Sequence, residues 1–182
     1  MATPPQTYTY DDLLEMPEGP ERHEIIDGEL IVTASPAIRH QKTVFALAQE
    51  LDRHARTGGG LMLVGPVDVV LTDTDVVAPD VVYVAPERIG CIEERCIRGA
   101  PTIIVEVSSP TTRRTDMTRK LPLYERHLVP EYWFVDLDAE RIEVYSLDGD
   151  RYGAPAMFTR ADILVSRGAP GLDVAVDGVL SG

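Results

Sequence analysis

Two apolar runs in this chain are each interrupted by a single carboxylate. Asp80 stands inside Val76-Val77-Ala78-Pro79-Asp80-Val81-Val82-Tyr83-Val84, and Glu106 inside Ile103-Ile104-Val105-Glu106-Val107. Runs rich in valine and isoleucine at this length read as buried strands. A carboxylate buried there without a partner is costly, or its pKa shifts until it is neutral. The fold must therefore offer each acid a cation, a metal ion or hydrogen-bond donors, unless the acid sits exposed or salt-bridged at a strand end. If the two strands are neighbours, both acids converge on one point. Oxygen-rich sites with few ligands suit Mg²⁺ or Mn²⁺.

The rest of the chain predicts what surrounds these strands. Thr9 is placed to cap a short helix over 10–16, which Pro17 and Gly19 end. Asp27-Gly28 lies between two apolar-rich runs, 23–26 and 29–32, and signals an N-terminal hairpin. Ser35-Pro36 reads as a helix start, with Ser35 as the cap and Pro36 in the first position. Val44, Leu47, Ala48 and Leu51 then give that helix one apolar face, and Gly58-Gly59-Gly60 ends it. Strands are expected over 61–64 and 67–71, and a single strand over 76–84. Residues 86–99 read as a loop or short helix. After the turn at 108–112, residues 115–127 are helical, with a kink at Pro122. Strands follow over 132–136 and 141–145, a weaker one over 151–158, and a last one over 172–176. This order predicts an α/β fold with a mixed central sheet flanked by helices.

Length and charge set the outer bounds. The 182 residues suffice for one domain with a real core, expected over 1–182 with ends at 1–7 and 179–182 frayed. No apolar run is long enough to span a bilayer, and the first ten residues have no signal-peptide pattern, so a cytoplasmic protein without membrane contact is expected. Cys91 and Cys96 have neither a second pair nor a nearby histidine, so they form no metal motif. The net charge of −13 argues against indiscriminate nucleic-acid binding. Two segments run the other way. Residues 37–60 carry four cations against two acids, and residues 111–127 carry five against two. Charge alone reads these as solvated helix faces.

Asp116, Lys120 and Tyr124 are spaced by four and share one face of the second basic segment. Lys120 either bridges to Asp116 at the surface or brings its ammonium to the two strand acids. His40 and Gln41, in the first turn of the long helix, are placed to hydrogen-bond those acids or a phosphate, or simply to face solvent. Trp133 reads as core.

Taken together, Pro79-Asp80, Glu106 within Ile104-Val105-Glu106-Val107-Ser108-Ser109-Pro110, then Asp116, Lys120 and Tyr124, then Pro130-Glu131-Tyr132-Trp133 and Val135-Asp136 resemble the Uma-two family of restriction-endonuclease-like proteins. That family belongs to the PD-(D/E)XK nuclease superfamily. The hairpin around Asp27-Gly28, Ser35-Pro36 and His40-Gln41 match as well, so the resemblance runs over roughly residues 8–178. It implies a restriction-endonuclease-like core of αβββαβ type. It implies that Asp80 and Glu106 bind Mg²⁺ or Mn²⁺. The motif's lysine is expected two residues after the glutamate, where this chain has Ser108, so the resemblance assigns that role to Lys120 on the next helix. Glu24 is implied as a further acid near the metal.

The implied activity is hydrolysis of DNA phosphodiester bonds by a metal-dependent endonuclease. A metal held by Asp80 and Glu106 lowers the pKa of a bound water and clamps a phosphate oxygen, while an ammonium beside it orients the water and offsets developing charge. Substrate contacts are then expected from His40, Gln41, Arg113, Arg114, Arg119 and Tyr124, and a homodimer would match duplex symmetry. Two rival readings stand beside this one. The first is a catalytically silent nuclease fold serving as an interaction or regulatory module, which the acidic surface favours. The second is a hydrolase for a small phosphorylated molecule, which needs no broad basic face.

Overall fold

The computed structural model describes residues 6–17, 19 and 21–181. Helix α1 (Tyr10–Leu14) opens on a capping box in which Thr9 and Asp12 satisfy each other's end groups. Strands β1 (Arg22–Ile26) and β2 (Glu29–Thr33) form the expected hairpin. Its turn places Asp27 and Gly28 at positive φ, the conformation that Asp-Gly tolerates best. Helix α2 (Ile38–Gly58) follows, then β3 (Leu61–Val64), β4 (Asp68–Thr72), β5 (Asp75–Val77) and β6 (Val81–Val84). After a 3₁₀ turn at Pro86–Cys91 come β7 (Cys96–Arg98) and β8 (Ile103–Ser108). A helical segment over 113–126 leads to β9 (Glu131–Asp136) and β10 (Arg141–Asp148). Short strands β11 (Arg151–Tyr152), β12 (Ala156–Thr159), β13 (Ile163–Val165) and β14 (Asp173–Ala175) and a last helix, Val176–Leu180, complete the chain.

The strands form two main sheets. One has the order β2-β1-β5-β4-β7; the other runs β11-β10-β9-β8-β6-β3, with β12 beside β10. Alternating side chains of the second sheet face two different layers. Val81, Tyr83, Val105 and Trp133 pack against Val44, Leu47, Ala48 and Leu51 of α2. Val82, Ile104, Tyr132 and Phe134 face the other way, onto Leu123 and Tyr124 of the helical segment and onto Ile26, Val69 and Val77 of the first sheet. The central sheet is thus covered on both faces, which explains its almost unbroken apolar runs. Strands β8 and β9 pair in parallel, and the segment 113–126 is the crossover that parallel pairing requires. Among the described residues, no helix is long and apolar enough to cross a membrane.

Four expectations are corrected. The run 76–84 is two strands, β5 in the first sheet and β6 in the second, separated at Ala78-Pro79-Asp80. Pro79 has no N–H to give a ladder, and the chain crosses between sheets there. Helix α2 begins after Ala37, not at Ser35, because Ala37 is still extended (φ −72°, ψ 162°). The segment over 113–126 does not merely bend at Pro122. It widens into a π-helical turn at Asp116–Lys120 before Leu121–Arg126 resumes the α-helix, accommodating a residue that cannot donate to the preceding turn. The weak strand expected over 151–158 is likewise two strands, β11 and β12.

Candidate active site

The sheet register brings the two strand acids together. Val81 pairs with Val105 and Val82 with Ile104, so continuing the antiparallel ladder by one residue sets Asp80 opposite Glu106. Asp80 stands one step before β6, at the seam between the sheets, and Glu106 lies within β8. Both share the pleat face of Val82 and Ile104, towards the helical segment.

The two acids have different partners. Asp80 Oδ1 accepts from Arg22 Nη2 at 3.1 Å, and Oδ2 accepts from the Val107 N–H at 2.8 Å and lies 3.1 Å from His40 Nε2. Burial pushes the Asp80 carboxyl up, but the His40 bond and the Arg22 charge outweigh it and hold the group below the usual carboxylate range. Glu106 Oε1 accepts from Lys120 Nζ at 2.8 Å and from the Tyr124 hydroxyl at 2.7 Å. Complete burial pushes its carboxyl up. The Lys120 charge pulls it back, but Asp116, Asp80 and Glu24 push in the same direction as burial, leaving the group at about 8.

Lys120 is the centre of the cluster. Its ammonium lies 2.8 Å from Glu106, 2.8 Å from Glu24 and 3.9 Å from Asp116. Burial disfavours the ammonium, but these three carboxylates outweigh it, so its pKa lies above the ordinary lysine value. The sequence pattern left open a surface bridge to Asp116; instead the side chain is buried and Asp116 is its most distant partner. Glu24 Oε1 also accepts from the Ala78 N–H at 2.9 Å, tying β1 to the break before Asp80. Asp116 is pushed up to about 6, chiefly by burial, and its Oδ2 is buried without a hydrogen-bond partner among the described residues.

A cavity of about 280 Å³ opens onto this cluster, lined by Arg22, Glu24, His40, Asp80, Glu106, Asp116 and Lys120 together with Thr111, Thr112 and Thr115. Four carboxylates face it against two permanent cations, Arg22 and Lys120, a formal excess of two negative charges when all are ionised. That excess and the unpartnered Asp116 oxygen fit a divalent cation. Among the described residues, no three acidic, histidine or cysteine side chains are gathered at metal-ligand spacing. An ion here would thus have at most two of the cavity's carboxylates as ligands, a count that Mg²⁺ accepts when water and phosphate complete its shell.

The expected substrate contacts divide. His40 is buried against Asp80, whereas Gln41 is exposed and lines an adjoining cavity of about 190 Å³. Tyr124 is fully buried and donates to Glu106, so it holds an acid in place and meets no substrate. Arg119 is committed to Glu29 and to the Ile26 carbonyl, and Arg113 pairs with Asp136 while lying over the Phe134 ring. In this structure the polar groups of these three already join elements of the fold. Arg114 alone of the basic cluster is exposed and makes no ion pair among the described residues. Trp133 lies in the core, as expected.

Sequence reasoning missed Arg22, and it placed Asp116 on the right helix face without assigning it to the site. Arg22 had a signal: it is the one cation among residues 1–36, and it opens a hairpin strand.

Residues 10–177 match the Uma2 family, described as "Putative restriction endonuclease". The chain belongs to that family. Among solved structures, this Uma2 protein resembles "a putative nuclease belonging to DUF820" from Anabaena variabilis ATCC 29413, with a TM-score of 0.79 and 20% identity, over 95% of this chain and 97% of that one. At that identity the likeness establishes a shared fold. No curated protein matches the chain.

Proposed function

We propose that this Uma2 protein is a Mg²⁺- or Mn²⁺-dependent endonuclease hydrolysing phosphodiester bonds of DNA, with Asp80 and Glu106 as metal ligands and Lys120 as the catalytic ammonium. One observation carries the reading: a lysine from the helix after β8 is buried within 2.8 Å of Glu106, in a cavity that also holds Asp80. On this reading Lys120 takes the part of the lysine that the nuclease motif expects at position 108.

A bound divalent ion would supply Lewis-acid activation of a water and of a phosphate oxygen. The chain's own residues do the rest. Lys120 stays protonated and faces the place where negative charge develops. Tyr124 and Lys120 both fix Glu106 Oε1, so the carboxylate is oriented before anything binds. Val107 and His40 fix Asp80 Oδ2 in the same way. Arg114, exposed and next in sequence to the cavity-lining Thr115, offers a phosphate contact. A two-fold dimer belongs to this reading, since a duplex presents two strands; light scattering tests it.

One observation favours the silent reading: each acid already has cationic or hydrogen-bonding partners within the chain. A single experiment separates the two. Purified protein is assayed on single-stranded, duplex and branched DNA with Mg²⁺ and with Mn²⁺, beside Asp80→Ala and Lys120→Met. Metal-dependent cleavage lost in both variants supports the enzyme. Metal uptake without cleavage on any substrate, or cleavage unchanged in the variants, overturns it.

A further inference from the structure

Arg22 has no role in the reading above, yet it is the most centrally placed cation that the nuclease motif does not call for. It heads β1, and its side chain is about a fifth exposed. It lines the main cavity, the adjoining one and a third beyond it. Its guanidinium is held by two acceptors, the Ala78 carbonyl at 2.7 Å and Asp80 Oδ1 at 3.1 Å. Both flank Pro79, so Arg22 braces the break between β5 and β6.

The occupancy of Asp80 makes this contact consequential. A carboxylate oxygen has about two lone-pair directions. Oδ2 uses both, on the Val107 N–H and on His40. Only Oδ1 has capacity left, and Arg22 already sits on it. Any cation that takes the remaining lone pair of Oδ1 must lie beside a guanidinium that cannot lose its charge. Two like charges at that separation in a mostly buried site repel strongly. Arg22 can escape because it is long, partly solvated and open to the cavities on either side. An arginine displaced from one carboxylate towards an anion-binding cleft is suited to a phosphate, whose oxygens match its fork of donors.

We propose that Arg22 is a built-in counter-cation that competes with the metal for Asp80 Oδ1 and, once displaced, takes a phosphate oxygen of the substrate. The inference rests on the metal-dependent reading of the same site and adds a coupling to it. Metal and nucleic acid then bind cooperatively, because the metal releases the arginine that the phosphate needs. Arg22 is a catalytic residue on this account only after the metal arrives; before that it positions Asp80.

The test is calorimetric titration of Mn²⁺ into the full chain, comparing wild type, Arg22→Gln, Arg22→Lys and Asp80→Asn, each first shown folded by circular dichroism and thermal melting. Competition predicts that Arg22→Gln binds Mn²⁺ about tenfold more tightly than wild type, with Arg22→Lys near wild type because its charge is kept. Unchanged or weaker binding in Arg22→Gln overturns the proposal while leaving the metal reading intact. Equal binding in wild type and Asp80→Asn, or binding in none of the four, refutes the metal assignment and Arg22's role with it. Should Arg22→Gln not fold, the Lys variant decides through the second arm. Anisotropy with a phosphorothioate-linked duplex, with and without Mg²⁺, should show metal-enhanced binding in wild type. That enhancement should fall several-fold in either Arg22 variant, since lysine cannot reproduce the guanidinium fork. Undiminished enhancement in the Arg22 variants refutes the displaced-arginine step.

Discussion

Asp80→Asn and Glu106→Gln should change the stability of the metal-free protein to very different extents. The sequence alone gives the two acids the same part, as carboxylates buried in apolar runs. The structure separates them. Asn at 80 keeps one oxygen and turns an amide towards two donors. The Val107 N–H then loses its acceptor, a buried loss of about 1–3 kcal/mol, and the bonds from Arg22 and His40 lose their charge assistance. Arg22 is partly solvated, so its share sits at the low end of that range. The sum is about 3 kcal/mol, within the span for breaking a buried pair from one side. For a chain of this size, each kcal/mol moves the melting point by about 2–4 °C, so Asp80→Asn should melt about 10 °C lower. Gln at 106 keeps an oxygen for Lys120 and Tyr124 and removes a carboxylate that burial already resists ionising. Lys120 retains Glu24 and Asp116. Glu106→Gln should therefore melt within about 3 °C of wild type at pH 7. Differential scanning calorimetry in EDTA reads both. A wild-type melting point in Asp80→Asn, or a drop of about 10 °C in Glu106→Gln, refutes the assignment of roles.

The raised pKa of Glu106 also sets a pH dependence. Its folded value of about 8 lies above its ordinary 4.5, so its favourable contribution is fully present below about pH 4.5 and is lost as pH rises through 8; Asp116, raised to about 6, acts in the same direction. Melting of the chelated wild type should thus fall between pH 5 and pH 8 through this site, and Glu106→Gln should flatten that slope; an equal slope in both proteins contradicts the cause. Lys120→Met strands three carboxylates and should cost about 3–5 kcal/mol at pH 8, less at pH 5, besides cutting turnover by about 10²-fold or more. Equal melting losses at the two pH values would show that the carboxylates are not what the lysine compensates. Arg114→Ala should leave the melting point unchanged and lower the salt dependence of DNA binding by about one phosphate contact, whereas Arg119→Ala should loosen the hairpin with little effect on that slope.

Much of this was legible in the chain because it depends on local rules. The Asp-Gly turn, the apolar face of α2, the triple glycine that ends it and the spacing of Asp116, Lys120 and Tyr124 are all short-range signals. The adjacency of the two acid-bearing runs was legible for a different reason: burial of a lone carboxylate demands a partner, and the next apolar run carried one. What escaped was long-range. Arg22 meets Asp80 across 58 residues, and no periodicity announces that contact. The division of 76–84 between two sheets was hidden because both halves are equally apolar, so composition could not show that the layer changes at Pro79. The fates of Arg113 and Arg119 were hidden similarly: a basic residue reads alike whether it faces a phosphate or ties down a neighbouring strand.

That change of layer at Pro79 has a consequence for how the protein acquires its shape. The acids lie at the boundary of two sheets whose partners come from different stretches of the chain. Glu106, Lys120 and Tyr124 fall within one strand and the crossover that follows it, a short span that can organise early. Asp80 is secured only when the hairpin and α2, 58 and 40 residues back, have docked on it. Loop closure over such separations is slow relative to local contacts. Pulse-labelled hydrogen exchange should therefore find the β8–β9 ladder protected before the pairing of Ile25 with Val76 that joins β1 to β5. That order would make the seam the last part to close, and with it the ring of charge around Asp80.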